Sequence, residues 1–355
     1  MADQKDNQLG KLDAGLLTGL VLGHLGADDP DVLVKPQPGV DVGVMRVAPG
    51  VVMALTTDPV FVMPELGWER ACWFAVHILA SDAATSGLPL RAMTVDLNLP
   101  PDLSDADLEA LWAAYAGACA ELGITVVTGH TARYAGCAWP MVGGATCVAI
   151  GAEDAYVIPT MARPGDRVLV TKGAAIEATA LFAAAFPDRL RAEVGEALYR
   201  DAHDLLGEMT VVPEARAAAA YGLRDAGVTA MHDATEGGVL GGLLEIAAAA
   251  GTGIRVDLAA IPVRPEVEAV CRAAGMDPYT SISEGTLLAT VRPEHAAGVL
   301  AAFAAAGVTA AEVGEIVPAE RGRVVVEDGR ESSLVAPPAD PFWAAFARWA
   351  GGNGA

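Results

Sequence analysis

Apolar and polar residues along this chain follow two periods, and the switches between them mark its elements. In "LSDADLEALWAAYAGACAELG", Leu108, Leu111, Trp112, Tyr115 and Leu122 recur at helical spacing. Ser104 supplies an N-cap, with Asp107 three residues on, and Gly123 a stop. Directly afterwards "ITVVTGH" is β-branched and predicts a buried strand running into a loop. "GVVMALTTD" predicts a second strand, also ending in a polar tip. "ARPGDRVLVTKG", residues 162–173, joins a Pro-Gly turn to a new apolar strand, which puts a domain boundary just before it. Beyond it come Ala-rich helices, the element "VTAMHDATEGG", another helix, and the strands "TLLATV" and "RVVVED". The pattern predicts an α/β (α+β) chain with domains at 1–160 and 161–335. A tail at 336–355 reads as a short helix with a frayed end.

Size and charge narrow the function. A chain of 355 residues that is 53% hydrophobic can bury two cores. No apolar run reaches the roughly 20 residues of a membrane span. The start "MADQKDNQLGKLDAG" has no basic-then-apolar signal, so the expectation is a soluble, cytoplasmic protein. A net charge of −22 repels nucleic acid and anionic membranes and makes a divalent cation the natural counter-charge. Five cysteines, Cys72, Cys119, Cys137, Cys147 and Cys271, lack C-x-x-C spacing and read mostly as small buried hydrophobes. Cys137 stands apart in a Gly-rich loop.

In "MHDATEGGVLGGLLEIAAAAG", residues 231–251, Asp233 and Thr235 fall where a helix N-cap would sit, ahead of Val239, Leu240, Leu243, Leu244 and Ala247. Gly237 and Gly238 then occupy the first turn, where bare backbone amides suit an anion. The same glycines also suit a tight strand-to-helix turn packed on its sheet. Thr56, Thr57 and Asp58 at a strand end, Asp41 in "PGVDVGV" and Asp82 in "ASDAATSG" are isolated polar residues among small or apolar ones. They fit magnesium, which takes hard oxygen ligands, and equally fit turn and cap chemistry. "VTGHTARYAG" offers Gly129, His130, Thr131 and Arg133; His130 suits a base or ligand, and Arg133 a phosphate. His77 reads as core, His232 as a support for Asp233, and Glu284-Gly285 as a turn.

In order, Asp41, "TTDP", "ASDAATSG", "ITVVTGHTAR", "ARPGDRVLVTKG", "MHDATEGGVLGGLLEIAAAAGTGI" and "SEGTLLATV" resemble the aminoimidazole ribonucleotide (AIR) synthase superfamily, most of all its HypE-like hydrogenase-maturation branch. The resemblance spans roughly residues 10–330 and turns the glycine motif towards nucleotide phosphate. It implies ATP and Mg²⁺ as cofactors, a homodimer paired through the N-terminal sheet, and ATP-driven activation of an amide, carbonyl or thiocarboxamide oxygen for dehydration or cyclisation. It makes Asp41, Asp58 and Asp82 the metal residues and Asp82, His130 and Asp233 the catalytic ones. Thr57, Thr131, Thr235, Gly237 and Gly238 join Asp41 and Asp58 around the nucleotide. Two departures stand out. HypE-like chains end in a cysteine-bearing tail, whereas this one ends "FARWAGGNGA" with no cysteine after Cys271. His130 replaces an acid, as in the G-H-S of selenophosphate synthetases. Kinase-like or selenophosphate-type transfer, or a non-catalytic nucleotide-binding maturation partner, are the alternatives.

Overall fold

The computed structural model describes residues 14–351 except Ala336 and Pro338. Most of the amino-terminal stretch read for a signal, and the frayed end at 352–355, lie outside the described residues.

The first sheet is built from β1 (Val32–Val34), β2 (Gly43–Ala48), β3 (Val51–Phe61), β4 (Leu90–Leu99), β5 (Thr125–Arg133) and β6 (Met141–Ala152), in the order β1-β2-β3-β6-β4-β5. Helices α1 (Trp68–Thr85) and α2 (Asp105–Leu122) pack together and cover one face. α2 starts and stops as its spacing predicts. The Asp107 amide donates to Ser104 Oγ at 3.0 Å, and Gly123 closes the helix at φ 76°. Because α2 crosses over between them, β4 and β5 run parallel.

Two strand expectations are corrected. β5 does not run into a loop at His130, because its pairing with β4 continues to Leu99 opposite Arg133. Nor is it buried, since it forms the sheet edge and is exposed over most of its length. β3 likewise does not end at Asp58; its pairing with β6 continues to Phe61 opposite Met141. Thr56, Thr57 and Asp58 are therefore mid-strand and alternate between faces.

The second sheet contains β7 (Arg167–Thr171), β8 (Val228–Asp233), β9 (Gly253–Asp257), β10 (Leu287–Val291), β11 (Ala310–Val317), β12 (Arg323–Glu327) and β13 (Arg330–Ser333), ordered β13-β12-β9-β11-β7-β10-β8. With it go α3 (Ile176–Ala185), α4 (Val212–Tyr221), α5 (Gly238–Ala249), α6 (Pro265–Ala274), α7 (Ala296–Ala305) and the predicted late helix, α8 (Pro341–Gly351). α1 lies against both β8 and α4. Ala75, Leu79 and Ala83 of α1 thus belong to one apolar cluster with Met231, Leu287 and Ala289 of the second sheet. That shared core fixes the end of α1 relative to the end of β8. Cys72, Cys119, Cys147 and Cys271 are buried free thiols, as read. Among the described residues no helix is long and apolar enough to cross a membrane.

Leu111 on α2 is fully buried in this core. Leu111→Ala should cost about 2–5 kcal/mol, read as a lower urea midpoint with an unchanged slope; a shift within error would mean that α2 does not carry the core.

Candidate functional site

The end of α1, the middle of β3 and the loop before β2 meet the end of β8 and the start of α5. Asp82 lies in the last turn of α1. On β3, Thr56 and Asp58 share the face turned towards α1, whereas Thr57 points to the opposite, exposed face. Asp41 arrives on a loop laid against α5. Gly39 makes that approach possible at φ +72°, where an added Cβ would stand 2.9 Å from Glu245 Cβ.

Hydrogen bonds tie these groups together. Thr56 Oγ1 donates to Asp82 Oδ2 at 2.8 Å. Thr85 Oγ1 donates to the Asp82 carbonyl at 2.7 Å and meets Asp41 Oδ2 at 3.2 Å. From the other domain, His232 places Nδ1 2.8 Å from Asp41 Oδ1 and 3.9 Å from Asp233 Oδ1, and Nε2 2.8 Å from Glu245 Oε2. Ligand atoms of Asp41, His232 and Asp233 all lie within 4.8 Å of one another. Asp233 is fully buried and His232 nearly so.

Electrostatics show what this crowding costs. Burial, then repulsion from Asp233, Asp41 and Asp58, pushes the Asp82 carboxyl well above the usual range, against the Thr56 hydroxyl bond. Burial works against a charged His232, yet the contacts with Asp41 and Glu245 outweigh it and hold the imidazolium well above its ordinary range. A second group of acids adjoins the first. The Glu284 amide donates to Glu177 Oε2 at 3.0 Å, and the Glu284 carboxyl bonds the Ser81 side chain, next to Asp82. Burial, then Asp233, Glu177 and Asp82, pushes Glu284 well up. Burial pushes Glu177 up to about 7, against its bond from the Glu284 amide, with Asp340, Glu236 and Asp233 adding repulsion.

Of the residues read from sequence, Asp41, Asp58, Asp82 and Asp233 converge. Thr57 and His130 do not join them. They line a shallow concavity on the open face of the first sheet, with Thr94, Asp96, Gly129 and Thr146. There Thr57 Oγ1 lies 2.8 Å from Thr146 Oγ1, and His130 Nε2 2.9 Å from Tyr134 Oη. Thr131 sits beside His130 on the exposed β5, and Arg133 pairs with Asp105 at 2.6 Å. Asp233 and Thr235 are not the N-cap. Asp233 ends β8, the Thr235 carbonyl accepts from the Gly238 amide at 3.0 Å, and left-handed Gly237 (φ 84°) caps α5. Gly238 packs so tightly that a Cβ would meet Ser281 O at 2.6 Å, and the Gly237 amide donates to Asp340 Oδ2 at 2.8 Å. His77 is core, bonded to Thr210 Oγ1 at 2.8 Å. Glu177, Glu245 and Asp340 escaped the sequence reading. The one available signal was for Thr56, which strand alternation puts on the same face as Asp58.

Comparison with known proteins decides the family. Residues 39–152 match the N-terminal domain of AIR synthase related proteins, and residues 163–327 match the C-terminal domain. The carbamoyl dehydratase HypE of Rhizobium leguminosarum bv. viciae is 30% identical over 276 residues, which is 76% of this chain and 75% of that protein. The chain belongs to the AIR synthase superfamily and is HypE-like. A selenide, water dikinase of Geobacter metallireducens is 28% identical over 348 residues, 89% of this chain and 95% of its own. The crystal structure of a hydrogenase maturation protein HypE in complex with ATP shares the fold at a TM-score of 0.64 and 23% identity, covering 94% of this chain and 97% of that one. In this AIR synthase family member both family domains contribute to the acid cluster.

A carboxyl raised by the fold is bound to its proton more tightly folded than unfolded. Glu177 therefore supports the fold fully below its ordinary 4.5 and loses that contribution as pH rises towards about 7. The metal-free protein should lose on the order of 1–3 kcal/mol over this interval. Glu177→Gln should flatten that loss, measured as urea stability at about pH 5 and about pH 8; an unaltered slope would remove Glu177 as its source.

Proposed function

We propose that this protein is an ATP- and Mg²⁺-dependent enzyme that phosphorylates a substrate oxygen of amide, carbonyl or thiocarboxamide type and so drives dehydration or ring closure. The observation that carries the reading is the convergence of Asp41, Asp58, Asp82 and Asp233 from both domains, with Asp82 pushed towards its protonated form by its neighbours. Such a set of hard oxygen donors fits Mg²⁺, with Asp41, Asp58 and Asp82 holding it and Asp233 closing the site. Bound there, the metal supplies charge neutralisation for the phosphates. The ATP complex of a HypE with the same fold supports the nucleotide.

The protein's own part is positioning. Thr56 and Thr85 orient Asp82. His232 locks Asp41 of one domain to the other, with Glu245 behind it. The substrate oxygen attacks the γ-phosphorus and ADP leaves; phosphate then departs with that oxygen. Glu284, pushed towards its neutral form beside Ser81 and Asp82, is the group placed to give or take a proton. Residues 272–355 contain no cysteine and so supply no thiol acceptor. The open face of the first sheet, with Val127 60% and Met141 53% exposed, fits pairing with a second copy. The likeness to a selenide, water dikinase favours a second reading in which the phosphorylated product is released intact. The destination of the γ-phosphoryl group separates the two.

Asp58→Asn should leave the fold and its melting temperature intact while cutting phosphate release from Mg-ATP by at least about 100-fold and removing the Mg²⁺ dependence of ATP affinity in calorimetry. Normal turnover in that variant would overturn the metal assignment.

A further inference from the structure

Lys172, directly after β7, is buried at 7% exposure and takes no part in the chemistry above. An ammonium so far from water requires a full set of acceptors. Its Nζ donates to the Thr210 carbonyl at 2.6 Å, the Gly285 carbonyl at 2.8 Å and the Glu208 carbonyl at 3.3 Å, and lies 2.7 Å from Glu214 Oε1. Backbone carbonyls of two separate segments, the one before α4 and the one before β10, therefore meet on one charge. Charge balance comes from Glu214, itself fully buried on α4 and bonded by Thr171 Oγ1 at 3.1 Å. The main chain of Lys172 is fixed as well. Its φ is +56°, a left-handed value that persists at a side-chain-bearing residue only where the surroundings hold it. Its amide donates to the Thr309 carbonyl at 2.8 Å, and its carbonyl accepts from Arg264 Nε at 3.2 Å. The same Arg264 grips the Glu208 carboxylate with two bonds, at 2.9 and 2.6 Å. At Gly285 the two segments come so close that an added Cβ would stand 2.3 Å from the Glu208 carbonyl oxygen.

Two of these contacts lead to Glu284. Gly285 is the next residue in the chain, so holding its carbonyl fixes the backbone that bears the Glu284 side chain. Thr210 precedes Val211, whose amide donates to Ser81 Oγ at 3.0 Å, and Ser81 bonds the Glu284 carboxyl. One ammonium thus holds Glu284 from its main chain and from its carboxyl group. Among the described residues Glu214 is the one carboxylate within ion-pair reach of Nζ, so Lys172 acts on Glu284 through these two chains of contacts rather than by touching it. A buried ion pair often adds little stability over an apolar pair of the same volume, but an apolar pair cannot draw carbonyls of two segments together.

We propose that Lys172 is the positioning residue for Glu284: its ammonium clamps the 208–210 segment to Gly285 and thereby sets the Glu284 carboxyl beside Ser81 and Asp82. The inference rests on the proton role given to Glu284 above.

The test uses Lys172→Met, which keeps the stem and removes the ammonium, with Glu214→Gln as control. The readouts are basal phosphate release from Mg-ATP, with water as the acceptor, and hydrogen exchange at residues 281–287. Lys172→Met should lower kcat by about 10–100-fold, the scale of a misplaced proton-transfer group, and change KM for Mg-ATP by less than about twofold. The Glu284 and Gly285 amides should exchange faster while α4 stays protected. Glu214→Gln keeps the ammonium on its carbonyls and should retain kcat within about twofold. In a Glu284→Gln background, Lys172→Met should cost less than about a further twofold, because the two residues act as one unit. A purely structural ion pair gives a different pattern: Glu214→Gln loses as much as Lys172→Met, and the losses at 172 and 284 multiply. That pattern, or unchanged exchange at 284 and 285, overturns the proposal. If Lys172→Met does not fold, Lys172→Met/Glu214→Gln, which leaves no lone buried charge, carries the same readouts. If Glu284→Gln releases phosphate normally, or no form releases it, the proton role of Glu284 fails, and exchange at 284 and 285 alone decides whether Lys172 positions that residue.

Discussion

The burial of several carboxylates where two domains share one core is the constraint on which the rest of this protein turns. Like charges removed from water repel strongly, and a fold tolerates them only with counter-charge, protonation or both. Here the internal counter-charge is the His232 imidazolium, gripped by Asp41 on one side and Glu245 on the other. One imidazolium against Asp41, Asp58, Asp82, Asp233 and Glu245 leaves a surplus of acid, and Asp82 and Glu284 absorb it by moving towards their neutral forms. The Mg²⁺ proposed above would offset that surplus and relieve the strain on the fold, so its binding and stability would be linked through the same side chains.

The rigid parts serve to aim those acids. α1 lies between the two sheets, and its apolar residues belong to the same cluster as residues of β8 and β10. The end of α1 is therefore set by packing rather than by polar contacts. Asp82 inherits its position from that packing, and Asp233 inherits its own from the last position of β8. Asp41 is different, since it sits on a loop. Its place depends on the close approach at Gly39 and on the cross-domain bond to His232. Removing either should be felt first in the position of the Asp41 carboxylate and only afterwards in the core.

Much of the fold and half of the site could be read in the sequence, for reasons that differ by residue. α2 was legible because its cap, period and stop are local and agree. The AIR synthase relationship was legible because seven short motifs occur in a fixed order, although each alone is ordinary. By contrast, the reading of β3 and β5 as strands ending in polar tips failed because polar residues within a strand look the same as polar residues beyond it. What extends these strands is pairing with β6 and β4, and pairing partners are not encoded locally. The same miss concealed the separation of Thr57 and His130 from Asp58, since mid-strand neighbours face opposite ways. Glu177, Glu245 and Asp340 were not legible at all. Each lies in a segment with unremarkable spacing and is brought to the site only by tertiary packing.

The glycine motif shows how a local ambiguity is resolved by long-range structure. From sequence, Gly237 and Gly238 served either an anion or a tight turn, and both demands prove to act on neighbouring residues. Gly238 answers the packing demand, because the backbone at Ser281 leaves no room for a Cβ. Gly237 answers the anionic one, because its amide meets a carboxylate. That carboxylate belongs to the chain itself and also accepts from the Phe342 amide at the start of α8. The turn's amide is thus satisfied from the start of a helix 103 residues away, so the geometry of the glycine turn and the seating of α8 depend on one carboxylate.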